Sequence, residues 1–217
     1  MGDSPLVSFT QLSPNNSGLR TQPISRFTPH CYCAQVTVER MGKGFANPAN
    51  KTSANYGIGY DGTVGMYVPE NKRAWTSSSE YNDQRAITVE CASDSTDPFK
   101  FNTIVYNRLI ELCVDICKRN GKNKVIWIPN KDTALAYAPK TDELLITVHR
   151  WFTSSRSCPG DWLFNRLSEF AVEVNNQLGA QALYRVQVGA FRNIDYANAY
   201  CEQIRQAGFP AFVTRVE

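Results

Sequence analysis

The sequence predicts an α/β domain, with a mixed central β-sheet and helices packed on it, followed by a small βαβ unit. Three observations carry this. Strand-like runs alternate with amphipathic helical stretches from residue 24 to residue 178. The run 146–162 (ITVHRWFTSSRSCPGDW) passes from a β-branched strand through a polar loop and a Pro-Gly turn into a helix. The alternation then restarts on a smaller scale over residues 183–217.

Composition sets the frame. A chain of 217 residues fits one medium-sized domain with an appendage, and 42% hydrophobic content is enough for a real core. The net charge of +3 gives no support for nucleic-acid binding, and it does not repel an anionic surface. No apolar run approaches membrane-spanning length. The start, MGDSPLVSF, lacks a basic segment and a long apolar core, so no secretory signal is expected. Seven cysteines, an odd number in a chain too large to need disulfide staples, read as reduced thiols made in a cytoplasm.

Taken in order, residues 1–23 are rich in Ser, Asn, Pro and Gln without periodicity and read as an arm over the domain surface. Residues 24–33 form a strand carrying His30, and alternation of side chains puts Cys31 on the opposite face, in the core. A short Gly-interrupted helix (34–45) and a loop follow. Residues 55–60 and 63–68 form a hairpin, whose Asp61-Gly62 signals a type I′ turn. A polar loop containing Trp75 leads to a strand, 84–91, that carries Glu90. Residues 98–120 make the clearest helix: Phe101, Ile104, Val105, Leu109, Leu112, Cys113 and Ile116 recur at spacings of three and four. Gly121 ends it. A buried-type strand (125–128) and a loop through Lys140 precede the strand that delivers His149. Asp161 then caps a helix through Leu178.

Chemistry concentrates in three residues. The only two histidines, His30 and His149, both end strand-like runs, and Cys158 sits in a loop elbow held by Pro159-Gly160. Two histidines and a thiolate leave one corner of a zinc tetrahedron open, which is the catalytic arrangement. Each residue also has an ordinary structural reading, as a hydrogen-bonded histidine or a small buried hydrophobe, so spacing alone leaves metal binding open.

The wider context narrows this. His30 after a strand, Asn55-Tyr56-Gly57-Ile58-Gly59-Tyr60-Asp61-Gly62 in a hairpin, Ile87-Thr88-Val89-Glu90 in a strand, and His149 with Cys158-Pro159-Gly160 occur in that order. The combination resembles the zinc-dependent N-acetylmuramoyl-L-alanine amidases of type 2, which include bacteriophage lysozymes and peptidoglycan recognition proteins. In particular it looks like the amidase endolysins of phages that infect Gram-positive bacteria. The resemblance covers roughly residues 20–178 and implies the amidase fold, over a domain spanning 24–179. It implies Zn2+ on His30, His149 and Cys158, with Glu90 assisting the water and protonating the leaving amine. By position two before the third ligand, Arg156 is the basic residue that steadies the oxyanion, where relatives commonly carry lysine. Many relatives have a tyrosine near the position of Ala54. That absence does not promote Tyr56, which reads as inward packing. Asn55, Trp75, Asn82 and Trp151 are candidates for lining a glycan–peptide groove.

Residues 183–217 form a second unit. The stretch YRVQVGAF is an alternating strand, a helix runs from about Ile194 to Gln206, and Phe209 to Val216 is a second strand. This βαβ unit resembles half of a SPOR domain, the repeat that binds bacterial peptidoglycan. A unit this small seldom folds alone, and half of a two-fold repeat leaves an unpaired sheet edge. The expectation is a homodimer through residues 183–217, with docking on the first domain or partial disorder as the alternatives. The expected activity is an endolysin's: cleavage of the amide between N-acetylmuramic acid and L-alanine, with the enzyme made in the host cytoplasm and acting on the wall after release. A non-catalytic peptidoglycan-binding protein and a zinc peptidase acting within the stem peptide are the alternatives.

Overall fold

The computed structural model describes residues 2–155, 157–179, 187–209 and 211–214. The chain divides into two compact units, Met1–Ala180 and Gln181–Glu217. Among the described residues no helix is long and apolar enough to cross a membrane.

The first unit is built on a seven-stranded sheet. Its strands are β1 (Val7–Thr10), β3 (Arg26–Cys31), β4 (Tyr56–Ile58), β5 (Val64–Met66), β7 (Ala86–Cys91), β8 (Lys124–Ile126) and β9 (Glu143–Ile146). Their spatial order is β1-β5-β4-β7-β3-β9-β8. All pairings are parallel except the β4–β5 hairpin. This is the mixed α/β sheet expected from the alternating pattern. β2 (Asn16–Leu19) and β6 (Lys72–Ala74) form a separate antiparallel pair.

The central strand β3 is buried along its whole length, so both its faces are covered. On one face Phe27 stacks on Phe170 at 6.1 Å between ring centroids. Phe170 belongs to α6 (Leu167–Gly179), which packs against α3 (Thr103–Arg119). The stripe Val105, Leu109, Leu112, Cys113 and Ile116 of α3 is buried, and Asn102 caps the helix by accepting from Val105 N. Each such fully buried aliphatic or aromatic side chain contributes about 1.5–3 kcal/mol. α1 (Val38–Ala46) lies against β1, β4 and β5. The other face of β3 carries Arg26, Thr28 and His30, and polar segments cover it.

Several elements differ from the sequence expectation. The N-terminal arm contributes β1 to the sheet edge and β2 to the small sheet. It is also pinned by the Asp3 carboxylate, which accepts from Glu70 N at 2.8 Å. The hairpin turn is not type I′: Gly62 has φ +83° while Asp61 does not adopt positive φ. Gly62 N donates to Gly59 O at 2.9 Å, the geometry of a type I turn followed by a left-handed glycine. The polar loop after the hairpin holds β6 and α2 (Glu80–Asp83), and the loop after β8 holds α4 (Lys131–Ala136). The helix beginning at Asp161 breaks into α5 (Asp161–Phe164) and α6. Gly160 takes the cap position, and Asp161 pairs with Arg150 at 2.8 Å instead of capping.

In the second unit, α7 (Ile194–Gln206) forms as expected and is capped by Asn193, whose side chain accepts from Asp195 N and Tyr196 N. The described residues 187–193, 207–209 and 211–214 hold no strand. The rest of the two expected strands lies outside the described residues.

Candidate metal centre

β3 and β7 run parallel in a register that pairs Thr28 with Thr88 and His30 with Glu90. Paired residues of a parallel ladder share a face, so His30 and Glu90 project together at the carboxyl ends of their strands. That edge is where open α/β sheets place their ligands. Glu90 Oε1 lies 3.9 Å from His30 Nδ1, with the Glu90 side chain 15% exposed.

On the other side of β3, strand β9 stops at Ile146. Thr147 keeps the same face, its hydroxyl 2.8 Å from that of Thr28. His149 therefore does not end the strand; it opens a single 3₁₀ turn, His149–Trp151. Arg150 N donates to Cys158 O at 3.0 Å and ties this turn to the third loop. That loop is fixed by Gly160, at φ +83°, where an added Cβ would meet Pro98 O at 2.6 Å and Phe99 Cβ at 2.8 Å. Only glycine fits there, so the elbow presenting Cys158 is locked against the segment before α3.

The result is a tight group. One ligand atom from each of His30, His149 and Cys158 lies within 4.8 Å of the others. Cys158 Sγ is 3.2 Å from His30 Nδ1, and the two imidazoles meet edge to face at 5.1 Å. Burial, and then His149, push His30 well below the usual histidine range, so its ring is neutral and offers a lone pair. Burial raises the Cys158 thiol. Nε2 of His30 is buried and has no hydrogen-bond partner among the described residues, so the fold does not consume that atom. Two imidazoles and a thiol at these spacings suit a tetrahedral zinc ion with one open position, whose bonds run about 2.0–2.3 Å.

The other candidates divide. Trp75 is half-buried, held by its indole N–H donating to Ser17 Oγ at 2.6 Å, and borders a cleft of about 340 Å³ with Lys51, Arg73, Ser78 and His149. Asn55 and Asn82 do not line a groove. Both are fully buried, and their amides are spent inside the protein. Asn55 donates to Val68 O at 3.1 Å and accepts from Thr88 N at 3.1 Å. Asn82 accepts from Thr147 Oγ1 at 2.9 Å and donates to Thr28 Oγ1 at 3.1 Å. Thr28 must then donate to Thr147, which closes a three-membered ring under the two histidines. Trp151 is also buried, stacked on Trp127 at 5.2 Å with the planes 1° apart. Tyr56 packs inward, as expected, its hydroxyl donating to Glu70 Oε1 at 2.7 Å. Arg156 lies outside the described residues. Cys31 is buried in the core, as expected, and stays in register with Cys91; its thiol also hydrogen-bonds Cys158 and lies 3.7 Å from the Cys33 thiol.

What sequence reasoning missed is the row beneath the site. Thr28-Pro29-His30, Thr88-Val89-Glu90 and Thr147-Val148-His149 repeat one pattern, a threonine two residues before each polar group. Period-two spacing places each threonine on its partner's face, so the pattern was readable.

The sequence profile of a family described as N-acetylmuramoyl-L-alanine amidase matches residues 20–161, and the SPOR domain profile matches residues 178–217. No curated protein sequence matches the chain. Among solved structures, a mutant endolysin from Bacillus subtilis is similar at 14% identity and TM-score 0.51, over 76% of this chain and 97% of that one. An AmpD derivative is similar at 17% identity and TM-score 0.53, over 75% and 93%. The Staphylococcus aureus hydrolase AmiA, in complex with its ligand, is similar at 10% identity and TM-score 0.56, over 81% and 87%. At these identities the likeness speaks for the fold.

Proposed function

The chain belongs to the N-acetylmuramoyl-L-alanine amidase family, and from that membership we propose that it cleaves the amide between the lactyl group of N-acetylmuramic acid and the first L-alanine of the stem peptide, with zinc held by His30, His149 and Cys158. The observation that carries this is the convergence of those three ligand atoms within 4.8 Å beside Glu90.

Zinc bound there supplies a polarised substrate carbonyl and a water acidified from about 15.7 toward 7. The protein's own groups do the rest. His30, kept neutral by burial near the end of β3, and His149, in the 3₁₀ turn after β9, hold their rings in fixed orientation. Glu90, partly exposed and 3.9 Å from His30, takes the proton of the attacking water and returns it to the leaving amine nitrogen. Arg156, assigned by its family position, steadies the oxyanion. Trp75 and the cleft beside His149 receive part of the glycan–peptide.

The SPOR match at residues 178–217 supports a wall-binding role for the second unit. Ile194, Tyr196, Phe209 and Phe212 in that unit are exposed apolar groups. A second copy of the chain covering them makes a dimer that carries two catalytic units on one anchor.

The test is metal removal. Chelation abolishes hydrolysis of purified peptidoglycan and added zinc restores it. Activity that survives complete removal of metal overturns the assignment.

A further inference from the structure

Of three consecutive serines, Ser78 and Ser79 line the cleft while Ser77 lies beneath it, and each is held differently. Ser77 is fully buried; its hydroxyl donates to Asp83 Oδ1 at 2.6 Å and accepts from Asn82 Nδ2 at 3.2 Å. Its backbone N–H also donates to the Asp83 carboxylate, at 3.1 Å. Ser79 caps α2, its side chain accepting from Asn82 N. Between these two anchors Ser78 adopts φ +60°, a left-handed conformation that non-glycine residues avoid. A strained residue persists only where its surroundings over-determine it, and such residues cluster at functional sites. Here the Ser78 hydroxyl faces His149, with Oγ 3.1 Å from Nε2.

We propose that Ser78 is a positioning residue for the metal centre. It accepts the proton of His149 Nε2, fixes the ring, and leaves Nδ1 as the nitrogen that faces the metal. This rests on reading His149 as a ligand. The chemistry is that of any metal-bound imidazole, whose second nitrogen needs an acceptor to set the tautomer and the ring angle. His30 and His149 share a floor, the Thr28–Thr147–Asn82 ring, and Asn82 also bonds Ser77. The segment that positions Ser78 is thus tied through Asn82 to the segments that carry both histidines.

The test measures zinc affinity by chelator competition in the wild-type chain, Ser78→Ala, Ser78→Gly and His149→Ala, with thermal unfolding of each metal-free protein alongside. Ser78→Ala and Ser78→Gly bind zinc about 10–100-fold more weakly, the usual worth of an outer partner. Ser78→Gly does so while its metal-free midpoint stays level or rises, because glycine relieves the left-handed backbone. A purely structural role for Ser78 does not separate affinity from stability in this way. If His149→Ala loses zinc but both Ser78 variants bind like wild type, the Ser78 role is wrong and the ligand assignment stands. If His149→Ala binds like wild type, both are wrong. Nitrogen NMR of the zinc-loaded wild type finds His149 metallated at Nδ1 and protonated at Nε2; metal on Nε2 overturns the proposal.

Discussion

Glu90 and Cys158 separate two jobs that a single loss of activity would confuse. Glu90→Gln keeps shape and hydrogen bonding but removes the proton carrier, so zinc content stays while turnover falls by about 10²–10⁴-fold. Turnover unchanged across the pH profile would remove Glu90 from the chemistry. Cys158→Ser acts on the metal itself, since serine stays protonated where a thiol ionises on binding; the purified protein should lose most of its zinc. Full zinc occupancy in that variant would dismiss Cys158 as a ligand. The convergence of His30, His149 and Cys158 was legible because the chain has only two histidines. The supporting residues were not. Asn55 and Asn82 read as candidates for a substrate groove because most amides are exposed, yet both are buried hubs satisfied by threonines and backbone carbonyls. Ser78 was hidden for a different reason: nothing local announces a left-handed serine, whose conformation is set by Asp83 and Asn82.

At the scale of elements, the site is an edge where β3, β7 and the turn after β9 end together, and a loop closes over them. The loop depends on Gly160, since any Cβ there strikes Pro98 O and the backbone is left-handed. Gly160→Ala should destabilise the fold by about 1–3 kcal/mol and displace Cys158, lowering zinc affinity in step. Denaturant unfolding with and without zinc checks this, and wild-type stability and affinity in the variant would show that the elbow is not under constraint. The long helix α3 and strands β3 and β7 were legible because period and length agree with burial. β1 and β2 were not. They are four residues each and half-exposed, and β1 pairs in parallel with β5 from far along the chain. His149 shows the same limit: its β-branched approach, Ile146 to Val148, reads as strand, but pairing stops at Ile146 and a 3₁₀ turn takes over.

For the whole molecule, the proposed function pairs an amidase unit with a wall-binding unit. Deleting residues 181–217 should leave cleavage of soluble fragments intact while reducing co-sedimentation with insoluble walls. The full chain should also show concentration-dependent mass in analytical ultracentrifugation. A chain that is monomeric throughout, with wall binding unchanged by the deletion, would leave the second unit with neither role. The central claim is the identity of the bond that is cut, and one measurement reaches it directly: mass spectrometry of purified peptidoglycan digested by the zinc-loaded full chain. The account predicts intact stem peptides beginning with a free L-alanine amine, together with unmodified muramic sugars. Fragments cut inside the stem peptide, or walls left whole, would contradict it.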